Sequence, residues 1–232
     1  MKRSVLLSAA MLMATLAVNA ASPKEEVIAA AKKLGEQANY SWKTTTSVPQ
    51  GSQFRPGPVE GKADKEGNLL ITMEVRDNLI EAVLNGDKGA MTNQDGDWQS
   101  LSEIENSEGN GRFRAMMLRN MKAPAVQAAD LANGARELKK DGDVISGELT
   151  EEGAKQFMRF GRGGQGPTVS KAGGTVKFWL KDGAVAKYEY TVKGAVNFNG
   201  EDRDVDRTST TEVMKIDETK LVIPEAAKKK LS

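Results

Sequence analysis

The sequence predicts a mainly β, α+β fold: an antiparallel sheet with an N-terminal helix and short helices inserted mid-chain. Three observations predict it. The hydrophobic period switches from helical to two after residue 39. Asx-Gly pairs recur between the alternating segments, at Asn85-Gly86, Asp95-Gly96, Asp141-Gly142, Asp182-Gly183 and Asn199-Gly200. Helical patterns are confined to the start, the middle and the end of the chain, which argues for a meander and against a parallel α/β sheet.

Residues 1–20 read as an export signal, leaving 21–232 as a single exported β-rich domain. Lys2 and Arg3 precede an apolar run from Val5 to Val18, and Val18-Asn19-Ala20 supplies the small residues of a cleavage site. The chain has no cysteine, so it has no site for a lipobox anchor and no disulfides, and its stability must come from a packed core. Without Lys2 and Arg3, 31 basic residues stand against 32 acidic ones. That balance implies no nucleic-acid partner. No apolar run beyond residue 20 is long enough to cross a membrane, so no integral segment is expected in the mature chain. The expected location is the periplasm or the medium.

Ser22, Pro23 and Glu25 open the first mature helix, Pro23 to Gln37, as N-cap, first helical residue and capping box. Val27, Ala30, Ala31, Leu34 and Ala38 form its apolar stripe. Tyr40–Val48 is rich in strand formers, and Leu69, Ile71, Met73 and Val75 alternate with more polar neighbours. Gln50–Pro58 reads as a loop. Short helices are expected over Arg112–Met121 and Pro124–Leu131 and from Thr150 to about Met158, followed by a mobile glycine-rich loop from Phe160 to Gly174. Two long strands, Gly174–Lys181 and Ala184–Gly194, flank Asp182-Gly183. Pro224 and Glu225 start a short C-terminal helix whose lysines suit the negative end of its dipole.

Chemistry is limited by composition. Without histidine or cysteine there is no usual zinc site, Ser-His triad or thiolate nucleophile, and neither a metal nor another cofactor is expected. Paired carboxylates could still serve a hydrolase, but the acids sit mostly in turns and on polar strand faces, so no enzyme activity is expected. Asn93-Gln94-Asp95-Gly96-Asp97 resembles part of a calcium loop. Aligned on Gly96, however, the pattern puts Met91 and Ser102 at the two essential carboxylate positions. Asp202, Asp204 and Asp206 share one strand face, where charges that protect an exposed edge explain them.

Phe113, Met116, Met117 and Met121 fall within two turns of one predicted helix. Adaptable methionine side chains suit either a hydrophobic ligand or an irregular core. Trp179 alternates with Val176, Phe178 and Leu180, which would give that strand apolar surface on both faces. These five residues, Phe113, Met116, Met117, Met121 and Trp179, are the candidate lining of a hydrophobic cavity.

The helix Pro23–Gln37, the strands Tyr40–Val48 and Leu69–Val75, the inserted helices Arg112–Leu131 and the closing pair Gly174–Lys181 and Ala184–Gly194 follow one another in a telling order. With the export signal, that order resembles the periplasmic lipoprotein-carrier superfamily, the LolA/LppX-like half-barrels. The resemblance implies a curved sheet around helices and a cavity that holds acyl chains or whole lipids. It places the methionine helix on the concave face. A mean hydropathy of −0.49 implies that the covered volume is not large. Two readings follow. One is a soluble periplasmic binding protein for a lipid or lipoprotein acyl chain, without covalent chemistry. The other is an envelope structural or protein-interaction domain with a filled core.

Overall fold

The structure is a computed structural model that describes residues 21–52, 55–75, 78–158, 168–198 and 200–231. The expected export signal and the Phe160–Pro167 part of the glycine-rich stretch lie outside them. Helix α1 (Pro23–Gly35) begins at Ser22, whose hydroxyl accepts from the Glu25 N–H while the Glu25 carboxylate accepts from the Ser22 N–H at 2.8 Å. Val27, Ala30, Ala31 and Leu34 are its buried stripe.

Six strands follow, β1 (Asn39–Ser47), β2 (Val59–Asp64), β3 (Asn68–Val75), β4 (Asn78–Asn85), β5 (Lys88–Thr92) and β6 (Trp98–Ser100). Helices α2 (Leu101–Asn106), α3 (Gly111–Asn120) and α4 (Pro124–Gly134) come next. Strands β7 (Ala135–Asp141) and β8 (Val144–Leu149) lead into α5 (Glu151–Met158). The long strands β9 (Thr168–Lys181), β10 (Ala184–Phe198) and β11 (Glu201–Met214) precede α6 (Glu225–Lys228). All strands join one antiparallel sheet in the order β6-β5-β4-β3-β2-β1-β11-β10-β9-β8-β7, open at β6 and β7. The chain is therefore an α+β half-barrel, mainly β, as its sequence predicts.

Four of the Asx-Gly pairs fall at hairpin turns for a simple steric reason, and Asn199 of the fifth lies outside the described residues. At Asp182-Gly183 both residues have positive φ, 52° and 74°, so the pair forms both central positions of a primed turn. At β4–β5 and β7–β8 the Asx residue is instead the last paired strand residue, and Gly86 and Gly142 alone take φ near +58° and +57°. At Asn93–Asp97 the Asn93 side chain accepts from the N–H groups of Asp95 and Asp97, so it serves the turn's own backbone.

One expectation needs correction. Thr168–Gly174 is not loop but the first half of β9. A side chain at Gly174 would start 1.9 Å from the Thr191 carbonyl oxygen, so the glycine lets two strands approach. The register shift beside it, between Lys193 and Ala195, absorbs an extra residue on β9, where Lys171 has φ 53°.

The helices cover one sheet face. Helices α1 and α4 pack on each other and on β10, and α5 packs on β9 and β10. Val176, Phe178, Tyr188 and Val192 are fully buried beneath them with Leu34, Leu131, Ala154 and Met158. Each fully buried Leu or Val there contributes about 1.5–3 kcal/mol.

Candidate functional site

Burial on the inner face of the β1–β6 limb falls off in rows. Trp42, Gly61, Ile71, Ala82 and Met91 lie opposite one another across five strands, and all are buried. The next row, Thr44, Val59 and Met73, is half-buried, and only Ile80 at its end is covered. One step further, Val75 is 46 % exposed. The limb thus leaves an apolar strip, Val59–Met73–Val75, partly open toward the end of β3.

Helix α3 packs against α2 and touches β4, the strand beside that strip. Its buried side is Gly111, Ala115 and Leu118. Phe113 and Met117, one turn apart, are each 38 % exposed. Met116 is half-buried, and Met121 at the helix C-cap packs against the edge of the core. Four of the five candidate residues therefore stay together on α3 and its C-cap. Trp179 is elsewhere. Val176 and Phe178 point into the core, and Trp179 lies on the opposite sheet face, with the Lys187 ammonium 5.1 Å from its ring centre.

A polar seam divides the two limbs. The Thr44 and Thr211 hydroxyls are 2.8 Å apart, and those of Thr46 and Ser209 are 3.0 Å apart. The Tyr188 hydroxyl donates to Gln127 Oε1 at 2.6 Å. Burial pushes the Tyr188 phenol well above its ordinary range and that of Tyr40 up to about 12. Arg207, on the same side of β11 as Ser209, donates to the Phe157 carbonyl at the end of α5.

Two clefts lie outside this region. One, of about 550 Å³, runs between α1 and the β7–β8 and β9–β10 turns. Its walls carry the Glu26–Lys140 ion pair at 2.6 Å and Lys33, which donates to the Asp182 carbonyl. The other, about 480 Å³, holds Asp202, Asp204 and Asp206 beside Lys171 and Lys193. There Lys193 pairs with Asp206 at 3.0 Å, and Asp202 accepts from Asn197. No group of acidic side chains among the described residues is arranged to hold a metal ion. No described helix is long and apolar enough to cross a membrane.

Sequence reasoning did not single out Val59, Met73 and Val75 as lining. The alternation of Met73 and Val75 in β3 signalled an inner face, but not that the face would stay uncovered.

No protein-family model matches the chain, and no curated protein matches it in sequence. Solved structures align with most of the chain. Lipoprotein LppX of Mycobacterium tuberculosis aligns over 87 % of this chain and 98 % of its own, at 11 % identity and a TM-score of 0.48. LprF of Mycobacterium bovis aligns over 88 % and 97 %, at 11 % identity and 0.45. A LolA superfamily protein of Nitrosomonas europaea aligns over 88 % and 96 %, at 11 % identity and 0.36.

Proposed function

We propose that this protein is an exported binding protein that shelters a hydrophobic ligand, a lipid or a lipoprotein acyl chain, against α3 and the inner face of β2–β3, by reversible burial and without covalent chemistry. The observation that carries this reading is the pair Phe113 and Met117, each 38 % exposed on a helix whose other side is buried and which touches β4, the neighbour of the strand β3 that carries Met73 and Val75 of the open strip. Apolar area left in water forgoes about 25 cal/mol per Å², and an acyl chain recovers it without directional bonds. Methionines suit such a ligand because their side chains follow an irregular surface. Trp179 is not part of this surface. Export is supported by Lys2, Arg3, the run Val5–Val18 and the small residues before Ala21, and the absence of cysteine supports a form free of a lipid anchor.

The second reading, an envelope interaction domain with a filled core, is favoured by the β7–β10 limb. There α1, α4 and α5 leave no uncovered apolar row among the described residues. An apolar fluorescent probe, N-phenyl-1-naphthylamine, separates the two. On the carrier reading, residues 21–232 bind it saturably and Met117→Asp weakens binding about tenfold or more, because a carboxylate resists burial beside an acyl chain. No saturable binding by the unaltered protein would favour the interaction domain.

A further inference from the structure

The chain after β11 does more than end the fold. At Lys215–Glu218 it reverses direction, with Lys215 and Asp217 at φ 48° and 59°. The Glu218 N–H donates to the Lys215 carbonyl at 3.2 Å, and four further hydrogen bonds hold this reversal. The Asp217 N–H donates to the Asn39 carbonyl at 2.8 Å, and Asp217 Oδ1 accepts from the Ala38 N–H at 2.8 Å. The Thr219 N–H donates to Asn39 Oδ1 at 2.7 Å, and its hydroxyl donates to the Lys215 carbonyl at 2.9 Å.

Beyond Thr219 the chain has neither helix nor strand until α6, with Leu221 and Ile223 half-buried. Lys62 reaches the Lys220 carbonyl at 3.3 Å, and Val222 is 59 % exposed. It is fastened again at its far end. Ala227 is fully buried, α6 packs on β6, and the Lys230 ammonium lies 2.6 Å from Glu103 Oε1 on α2. The segment therefore starts at the middle of the sheet and ends on the opposite edge of the β1–β6 limb.

That edge is built from short elements, seated on the limb by Leu101, Ile104, Ala115 and Leu118. β6 has three residues, α2 has six, and α3 starts at Asn110 with no side-chain cap. Helices this short are not stable alone and depend on what they pack against. Helices α2 and α3 pack on each other, so what holds α2 also holds Phe113 and Met117.

We infer that residues 215–231 form a latch: anchored at Asn39, the strap fastens the α2–α3 pair to the limb through Ala227 and the Lys230–Glu103 ion pair, and so governs how readily α3 leaves the sheet. Its consequence for ligand capture rests on the function proposed above; its mechanical role does not.

Hydrogen exchange of the Leu101–Asn120 amides tests the latch. Lys230→Gln removes one charge, and Glu103→Gln removes the other while keeping a residue able to complete the α2 capping box. Each is expected to raise exchange in α2–α3 about threefold, the size of effect a half-exposed ion pair gives. The double variant is expected to match the singles, because both remove the same contact. Ala227→Glu, which unseats α6, is expected to raise exchange there more than tenfold and to leave β9 and β10 unchanged. Unchanged α2–α3 exchange in all these variants would overturn the latch. So would multiplicative effects in the double, or an equal rise across β9 and β10. In parallel, N-phenyl-1-naphthylamine should dissociate several-fold faster from Ala227→Glu. If the unaltered protein takes up no dye, the proposed function falls, and the exchange data alone decide on the latch.

Discussion

The indole of Trp42 occupies the space where a side chain at Gly61 would begin: a Cβ there would lie 2.2 Å from Trp42 Cζ2. The two residues are opposite one another on β1 and β2, and both are buried on the inner face. This contact sets the fully covered row from which the apolar strip opens. Gly61→Ala must displace the indole, and overpacking of that kind costs about 1–3 kcal/mol. Urea unfolding is expected to show a lower midpoint with an unchanged slope. A midpoint equal to that of the unaltered protein would mean that the row is looser than its geometry implies.

The Tyr188–Gln127 bond ties α4 to the centre of the sheet. Tyr188→Phe keeps the ring but leaves Gln127 Oε1 without this donor, at an expected cost of about 1–3 kcal/mol.

The same burial makes the fold sensitive to alkali. Tyr40 ionises near 10.0 when unfolded and at about 12 in the fold, where desolvation outweighs the hydrogen bond it shares with the Ala125 backbone. A raised folded value means that its contribution is whole below pH 10 and is lost as pH climbs toward 12. Stability measured by urea at pH 9, 10 and 11 should fall over the last two points. Tyr40→Phe should flatten part of that fall.

Glu103 behaves in the opposite sense. The Lys230 ammonium, and then the Ser100 N–H and hydroxyl, hold its carboxyl at about 2, below the ordinary 4.5. A lowered folded value means that its contribution is present above pH 4.5 and fades as pH drops toward 2. Loosening of α2–α3 is therefore expected to begin below pH 4.5, and less so in Glu103→Gln. An identical acid response in the two proteins would remove Glu103 from the explanation.

Export makes a separate prediction. The protein recovered from the cell envelope should begin at Ala21, and N-terminal sequencing reads this directly. A chain that retains Met1 would contradict cleavage after Ala20.

Much of the fold was legible because it follows local rules. Ser22 and Glu25 make a capping box wherever they occur at that spacing before an apolar stripe, and Asp182-Gly183 suits a primed turn on sterics alone. What was not legible depends on partners distant in sequence. The strand Val59–Asp64 carries Gly61, which weakens any strand pattern. It is acceptable only because Trp42, nineteen residues earlier, fills the space. Thr168–Gly174 read as loop because its glycines signal turns, whereas Gly174 is there for the approach of Thr191. In the candidate site, the helical spacing of Phe113, Met117 and Met121 was readable. The exposure of two of them, the open strip on β2–β3 and the reach of Lys230 to Glu103 were not, because each depends on how distant elements cover one another.

Native mass spectrometry of residues 21–232, recovered gently from the cell envelope, tests the central claim most directly. The account expects a discrete added mass that organic solvent releases as lipid, and expects it to be reduced or absent in Met117→Asp at unchanged stability. A protein carrying no added mass, or an added mass that Met117→Asp and Phe113→Asp both leave in place, would contradict it.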